Sequence, residues 1–192
     1  TTGTQNTFIG GGAGDATTTG ASNTSIGYAS LGSNTTASNN TGLGYAALAA
    51  NTTGSENTAV GRNALDANTT GANLVAMGNG ALGANTTASY NTGIGEQALA
   101  ANTTGAANVA LGSYALDANT TASDNTAIGA SSLTTNTTGA NNVAVGRDAL
   151  GANTTASSNT AVGYYTGKAN TTGNENTFVG NLAGTAVTTG AD

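Results

Sequence analysis

The chain has 192 residues, only 6% of them charged, and its three basic and nine acidic side chains give a net charge of −6. Three cations are too few to neutralise a run of phosphates, and no apolar stretch approaches the roughly 20 residues that cross a bilayer. Nucleic-acid binding and membrane insertion are therefore not expected. Cysteine and histidine are absent, which disfavours zinc sites and nucleophile–base pairs.

A glycine recurs every seventeen residues along the chain, without an insertion or a deletion. Its positions are Gly10, Gly27, Gly44, Gly61, Gly78, Gly95, Gly112, Gly129, Gly146, Gly163 and Gly180. Such an unbroken period predicts a solenoid. We expect an all-β parallel β-solenoid (β-roll) of eleven 17-residue coils that occupies residues 1–192 as a single repeat array. Both ends carry the same turn and no cap, so we expect a segment of a longer fibre or stacking on another copy.

Each coil is expected to begin with a short β-strand, which in the fourth coil is Thr58-Ala59-Val60. Its first residue is mostly Thr or Val, and period-two spacing places it on the same face as the third. The third residue is aliphatic in every coil. We assign this aliphatic column to the structural core: Ile9, Ile26, Leu43, Val60, Met77, Ile94, Leu111, Ile128, Val145, Val162 and Val179.

The middle residue of the strand points to the opposite face and is small in most coils. A face that met water would be expected to carry longer polar or charged side chains. We therefore assign this small column to an interchain face, covered by neighbouring chains around a fibre axis. Its alanines are Ala59, Ala76, Ala110, Ala127, Ala144 and Ala161. A small-residue face that lies bare in water is the alternative.

The residue after the glycine varies from coil to coil, which indicates solvent exposure. This variable column holds Gly11, Tyr28, Tyr45, Arg62, Asn79, Glu96, Ser113, Ala130, Arg147, Tyr164 and Asn181. Because tyrosine rings stack on sugars, Tyr28, Tyr45 and Tyr164 are candidate contacts for a cell-surface glycan. Exposed tyrosines without a ligand are the alternative interpretation.

The large side chain of a coil lies either in the small column or at the position four residues after the glycine. The first and last coils carry Gly14 and Gly184 at that position, together with Phe8 and Phe178 in the small column. Conserved total volume predicts that the two columns face a shared space. In the tenth coil both positions are small, and we expect one of the tyrosines at Tyr164–Tyr165 to fill the gap. The usual residue is leucine: Leu31, Leu48, Leu65, Leu82, Leu99, Leu116, Leu133 and Leu150.

Two asparagine columns run along the array. One opens the strands, with Leu74 as its exception, and the other extends from Asn34 to Asn170. Stacked asparagine amides form hydrogen bonds from coil to coil, so both columns are predicted to be ladders. The second column also matches the acceptor sequence for N-glycosylation, but it recurs because the coil recurs. We favour the turn-ladder interpretation.

The acidic residues occupy several different columns. Asp66 and Asp117 share a column, but three coils separate them by about 15 Å, too far for a glycosidase pair. We expect no enzymatic activity and no cofactor. The glycine–aspartate pattern of calcium-binding rolls is approached once, at Gly10–Asp15. Adjacent threonines point to opposite faces, which weakens an ice-binding interpretation of the Thr-Thr pairs without removing it.

The motif Asn57-Thr-Ala-Val-Gly61, followed by Ala64-Leu65 and Asn68-Thr-Thr-Gly71, resembles the repeats of phage tail fibres and related surface fibre proteins. More distantly, Asn125-Thr-Ala-Ile-Gly129 is similar to the strand of trimeric autotransporter adhesin heads. The resemblance covers the whole chain. It implies a parallel β-roll that trimerises about a fibre axis and serves as a shaft or a receptor-binding head. The coil here is longer than that of the adhesin heads.

We therefore expect a structural or adhesive fibre segment, extracellular on a cell surface or a virion, that builds a rigid shaft or head for attachment. The expected partners are further copies of the chain, as a homotrimer or in end-to-end stacks, and a cell-surface glycan. The alternatives are a self-stacking extracellular filament subunit and an ice- or glycan-binding solenoid. Uniform columns favour the structural fibre.

Overall fold

The computed structural model describes residues 2–190, so Thr1, Ala191 and Asp192 of the predicted array lie outside the described residues. One strand of three residues forms in each coil. The strands are β1 Thr7–Ile9, β2 Thr24–Ile26, β3 Thr41–Leu43, β4 Thr58–Val60, β5 Val75–Met77, β6 Thr92–Ile94, β7 Val109–Leu111, β8 Thr126–Ile128, β9 Val143–Val145, β10 Thr160–Val162 and β11 Thr177–Val179. The predicted all-β parallel solenoid with a seventeen-residue coil is confirmed.

The strands form one eleven-stranded sheet in which each strand pairs in parallel with the next one along the chain. The register advances by one coil, so that Ala59 lies opposite Ala76 and Val60 lies opposite Met77. Equivalent strand residues of successive coils therefore stack in register and form continuous rows along the solenoid. Within residues 2–190, no helix is long and apolar enough to span a membrane.

The periodic glycine follows each strand because the chain leaves the strand in a conformation that only glycine adopts easily. Gly61 has a φ of +132°. A Cβ atom on Gly61 would also lie 2.6 Å from the carbonyl oxygen of Gly78 in the next coil. Both the φ value and the stacking distance therefore require glycine.

Each of the first ten coils turns further at three left-handed residues, which in the fourth coil are Asn63, Leu65 and Asn73. Left-handed leucine is uncommon because its Cβ is crowded. The eight leucines of the repeat nevertheless have φ values of 48–55°. All eight are fully buried, so the packing of their side chains offsets the backbone strain.

The interior of each coil lies between the leucine and the middle residue of the strand. In the fourth coil, Ala59, Ala64 and Leu65 are all fully buried in the single chain. The assignment of the alanine column to an interchain face was wrong, because this column packs against the leucines inside its own coil. The correction applies to Ala59, Ala76, Ala110, Ala127, Ala144 and Ala161, each with no exposed surface.

The predicted volume exchange between the two columns is confirmed. A Cβ atom on Gly14 would lie 2.7 Å from the ring of Phe8, so the ring occupies the place of the missing leucine. The expectation for the tenth coil was wrong. Neither tyrosine fills its gap, because the ring of Phe178 reaches back from the eleventh coil to within 2.7 Å of a Cβ placed on Gly167.

Both predicted asparagine ladders are present. In the turn ladder, Asn51 Nδ2 donates to Asn34 Oδ1 at 3.2 Å and to the carbonyl oxygen of Gly54 at 2.9 Å. In the strand ladder, the side-chain oxygen of one asparagine accepts from the backbone N–H of the next, as Asn91 does from Asn108. The turn-ladder asparagines are fully buried, which favours their structural role over glycosylation of the folded chain.

Candidate functional site

The aliphatic column that we assigned to the core lies on the outside of the solenoid. Ile9, Leu43, Leu111 and Val179 are between 43% and 68% exposed. The core assignment was therefore wrong, because the leucines fill the narrow interior and leave room there only for small residues from the strand. The correction covers Ile9, Ile26, Leu43, Val60, Met77, Ile94, Leu111, Ile128, Val145, Val162 and Val179, all half-buried or exposed.

We call the surface formed by the first and third residues of every strand the outer strand face. Its first column holds eight threonines and three valines, and its third column is entirely aliphatic. No charged residue belongs to either column. With strands about 4.8 Å apart and three residues long, the face measures roughly 50 Å by 10 Å. It is a mostly apolar strip that runs the length of the solenoid.

The threonines of the Thr-Thr turn differ from those of the outer strand face. The first hydroxyl of most pairs is used within the solenoid: Thr52 Oγ1, for example, donates to the carbonyl oxygen of Thr69 at 3.0 Å. The second threonine, such as Thr53, is exposed. The turn therefore presents one free threonine column, whereas the outer strand face presents two columns side by side.

The variable column is exposed as predicted, and it brings two of the three candidate tyrosines together. Tyr28 and Tyr45 stack with ring centroids 5.5 Å apart and planes at 16°. Arg62 is in the same column one coil further along, and its guanidinium carbon lies 5.9 Å from the centroid of the Tyr45 ring. Tyr164 lies seven to eight coils away, roughly 35 Å by the strand spacing. The three candidates therefore belong to two separate places.

Tyr164 belongs to a cluster in the ninth and tenth coils, which we call the cationic cluster: Arg147, Asp148, Tyr164, Tyr165 and Lys168. Arg147 Nε lies 3.2 Å and Lys168 Nζ 3.7 Å from the two carboxylate oxygens of Asp148. Lys168 Nζ also lies 3.8 Å from the centroid of the Tyr165 ring. The Tyr164 and Tyr165 rings are tilted at 56° with centroids 4.3 Å apart.

The hydroxyl of Tyr164 holds its proton more firmly than usual. Desolvation raises the pKa of Tyr164, and the neighbouring Tyr165 hydroxyl raises it further. The Tyr164 hydroxyl is therefore neutral at physiological pH. Nearly half of this residue is exposed, so the ring meets solvent.

Sequence reasoning missed the cationic cluster as a unit, although Tyr164 was a candidate. The signal was available, because Arg147 and Lys168 are two of the three basic residues and lie in adjacent coils. Their contact through Asp148 depends on where two different columns meet on the turn. The seventeen-residue period alone does not give the distance between those two columns.

The carboxylates do not converge on a common point. Within residues 2–190, no group of three or more acidic side chains is arranged to hold a metal ion. Asp66 is half-buried, and desolvation raises its pKa despite hydrogen bonds from its own backbone and that of Ala67. Asp117 accepts a hydrogen bond from Thr134 Oγ1 at 2.7 Å. These contacts are local to each coil.

A cavity of about 350 Å³ lies at the open end of the first coil, lined in part by Phe8, Gly14 and Thr17. Thr17 replaces the turn-ladder asparagine there, and its buried hydroxyl has no hydrogen-bond partner within the described chain. The cavity adjoins the interior of the first coil.

No known protein family, curated protein or solved structure matches this chain.

Proposed function

We propose that this protein is a structural and adhesive fibre segment, extracellular on a cell surface or a virion, whose chains associate as a homotrimer through the outer strand face. The observation that carries the proposal is the continuous apolar strip along that face. A strip of roughly 500 Å² lies at the upper end of the patches that monomers expose, and such patches mark interaction sites.

The area of the strip is sufficient for a specific interface. Covering the strip on all three chains would remove about 1,500 Å² of surface from water in the trimer as a whole, comparable with the total that a specific protein–protein contact buries. The aliphatic column supplies the apolar contacts, and the absence of charge on both columns avoids desolvating ions. The resemblance of the repeats to those of trimeric fibres supports three chains around one axis.

The interior of the coil suits a rigid shaft. Leucines, small strand residues and two asparagine ladders repeat with little variation, so each coil is bonded to its neighbours in the same way. In repeat proteins of this kind, stability accumulates from coil to coil contacts. We infer a mechanical role and no enzymatic activity.

The proposal is tested by the solution mass of the chain, measured by light scattering at several concentrations. We expect a constant mass of three times 18.2 kDa. Ile128→Glu, which places a carboxylate on the outer strand face, should give a folded monomer. Ala130→Glu is the matched control, because Ala130 is exposed two residues away in the variable column. It should leave the trimer intact.

A single-chain mass for the wild type would contradict the trimer, as would a trimer that survives Ile128→Glu. A mass that grows with concentration would contradict it in favour of the self-stacking filament. Circular dichroism of each variant establishes that a change in mass does not come from unfolding.

Ice binding is a second candidate function, because the outer strand face offers two columns of threonine, valine and other aliphatic side chains on an uncharged surface. It requires this face to be free, so it competes with the trimer. Thermal hysteresis of the wild type and of Thr126→Lys tests it: ice binding predicts a measurable hysteresis that the lysine abolishes.

A further inference from the structure

The fold itself does not explain the side chains of the cationic cluster. The column of Arg147 contains glycine, serine and alanine in other coils, and the column of Lys168 contains glycine, alanine, aspartate and threonine. None of these replacements interrupts the strand order. The concentration of two of the three basic residues in adjacent coils therefore has no origin in the packing of the solenoid.

The cluster presents positive charge to solvent, although it contains a carboxylate. The side chain of Asp148 is only 16% exposed, whereas those of Arg147 and Lys168 are 63% and 42% exposed. Asp148 holds the two cations close together and neutralises one of them. What a ligand meets is a pair of accessible cations with an excess charge of +1 on a chain that is otherwise acidic.

The tyrosines add an apolar platform beside this charge. The Tyr164 and Tyr165 rings are tilted, so no parallel ring covers Tyr164. Tyr28 and Tyr45, in contrast, stack on each other. Tyr164 lies one coil after Arg147 in the variable column, so ring and guanidinium are neighbours on the same surface. A flat ring with an apolar face and an anionic substituent complements this arrangement.

We propose that Arg147, Lys168 and Tyr164 form a binding site for an acidic saccharide, whose pyranose ring stacks on Tyr164 and whose carboxylate or sulfate pairs with the two cations. The inference rests on the adhesive part of the proposed function and gives it a ligand class. Guanidinium pairs with either anion through two parallel hydrogen bonds, and the ammonium of Lys168 adds a second charge.

The stacked group Tyr28, Tyr45 and Arg62 provides an internal comparison. It also combines aromatic rings with a cation, but Tyr45 is covered by Tyr28 on the neighbouring coil and Arg62 is its only basic residue. Arg62 and Arg147 belong to the same variable column. Removing either one changes the net charge of the chain equally, so Arg62→Gln is a control for non-specific electrostatic attraction.

The test is calorimetric titration of the full chain with tetragalacturonate, its methyl ester and a chondroitin sulfate tetrasaccharide. We expect one or both anionic probes to bind, and the neutral ester to bind at least tenfold more weakly than tetragalacturonate. Arg147→Gln and Lys168→Gln should each weaken binding about tenfold, whereas Arg62→Gln should have no effect. Tyr164→Ser should also weaken binding, and Ser113 shows that the column accepts serine.

Binding of only the carboxylated or only the sulfated probe would support the site and identify the anionic group. The proposal would be overturned if neither probe bound, if the ester bound as well as the acid, or if Arg62→Gln reduced binding as much as Arg147→Gln. Unchanged affinity in Tyr164→Ser would contradict the stacking platform. The solution mass is measured separately, so a monomer that binds tetragalacturonate would contradict the trimer and support this site.

Discussion

The ring of Phe178 occupies the space that a side chain on Gly167 would fill, with ring carbon Cδ2 2.7 Å from the position of the absent Cβ. The two residues belong to successive coils. One aromatic ring thus lies where both the tenth and the eleventh coil lack a leucine, because a Cβ on Gly184 would also meet the Phe178 ring.

This relationship predicts a compensating pair of substitutions. Gly167→Leu alone should clash with Phe178, and Phe178→Ala alone should leave a cavity, each costing about 2 kcal/mol of unfolding free energy. The double variant places the new leucine in space that the Phe178 ring vacates, so its cost should fall at least about 1 kcal/mol below the sum. The backbone permits leucine, because φ at Gly167 is +60°. Urea unfolding measures the cycle, and additive costs would contradict the shared space.

The periodic glycine predicts a position-dependent effect of one methyl group. Gly61 and Gly180 have similar φ values of +132° and +120°, but a Cβ on Gly180 would meet no atom within 4 Å. Gly180→Ala should therefore cost only the backbone strain, about 1–2 kcal/mol, whereas Gly61→Ala should add a clash with the next coil and cost at least about 2 kcal/mol more. Thermal unfolding followed by circular dichroism compares the two. If the two variants lost equal stability, the predicted clash between the added methyl group and the next coil would be contradicted.

In the strand ladder, we expect replacement of an asparagine by leucine to cost less stability than replacement by alanine. Asn125 accepts from the backbone N–H of Asn142 at 2.9 Å and donates to the carbonyl oxygen of Gly139 at 2.9 Å. Asn125→Ala removes these hydrogen bonds, leaves their buried partner groups unsatisfied and creates a cavity, so it should cost about 3 kcal/mol. Leu74 occupies the equivalent position fully buried, so Asn125→Leu fills the space and should cost about 1 kcal/mol less. Chemical denaturation gives both values, and a less stable leucine variant would contradict the argument.

Removing the charge of the half-buried Asp66 should stabilise the folded protein in a pH-dependent way. Burial raises the pKa of Asp66 above 3.8, so the folded state disfavours the ionised form. The contribution of this group to stability is fully present below the unfolded pKa and is lost as pH rises through the folded pKa. Asp66→Asn should therefore raise the unfolding free energy at pH 7, and with it the melting temperature, by less than about 1 kcal/mol because solvent screens a half-exposed group.

The gain from Asp66→Asn should shrink as the pH approaches 3.8 and vanish below it. Asp117→Asn, in the same column, is the control, because Asp117 accepts a hydrogen bond from Thr134 and should gain nothing at pH 7. A stabilisation of Asp66→Asn that is independent of pH would rule out the charge as its cause.

Much of the repeat unit could be predicted from its period and its exceptions. The glycine that recurs every seventeen residues indicated the length of the coil. The strict columns indicated ladders of equivalent residues, including the turn ladder from Asn34 to Asn170. The exchange of bulk between Phe8 and Gly14 correctly placed two columns in one space. These features depend on which residues share a column, and a uniform period determines that without knowledge of the coil's cross-section.

The tertiary structure decided which face of the strand points inward. Val60 is larger and more apolar than Ala59, so the sequence favoured the aliphatic column as core, yet Ala59 is buried and Val60 lies on the outer strand face. The reason is the left-handed turn that directs Leu65 across the narrow coil, leaving room for only a small side chain opposite. The contact of Arg147 and Lys168 through Asp148 was likewise decided by the shape of the turn, since it joins different columns whose separation depends on the path of the backbone.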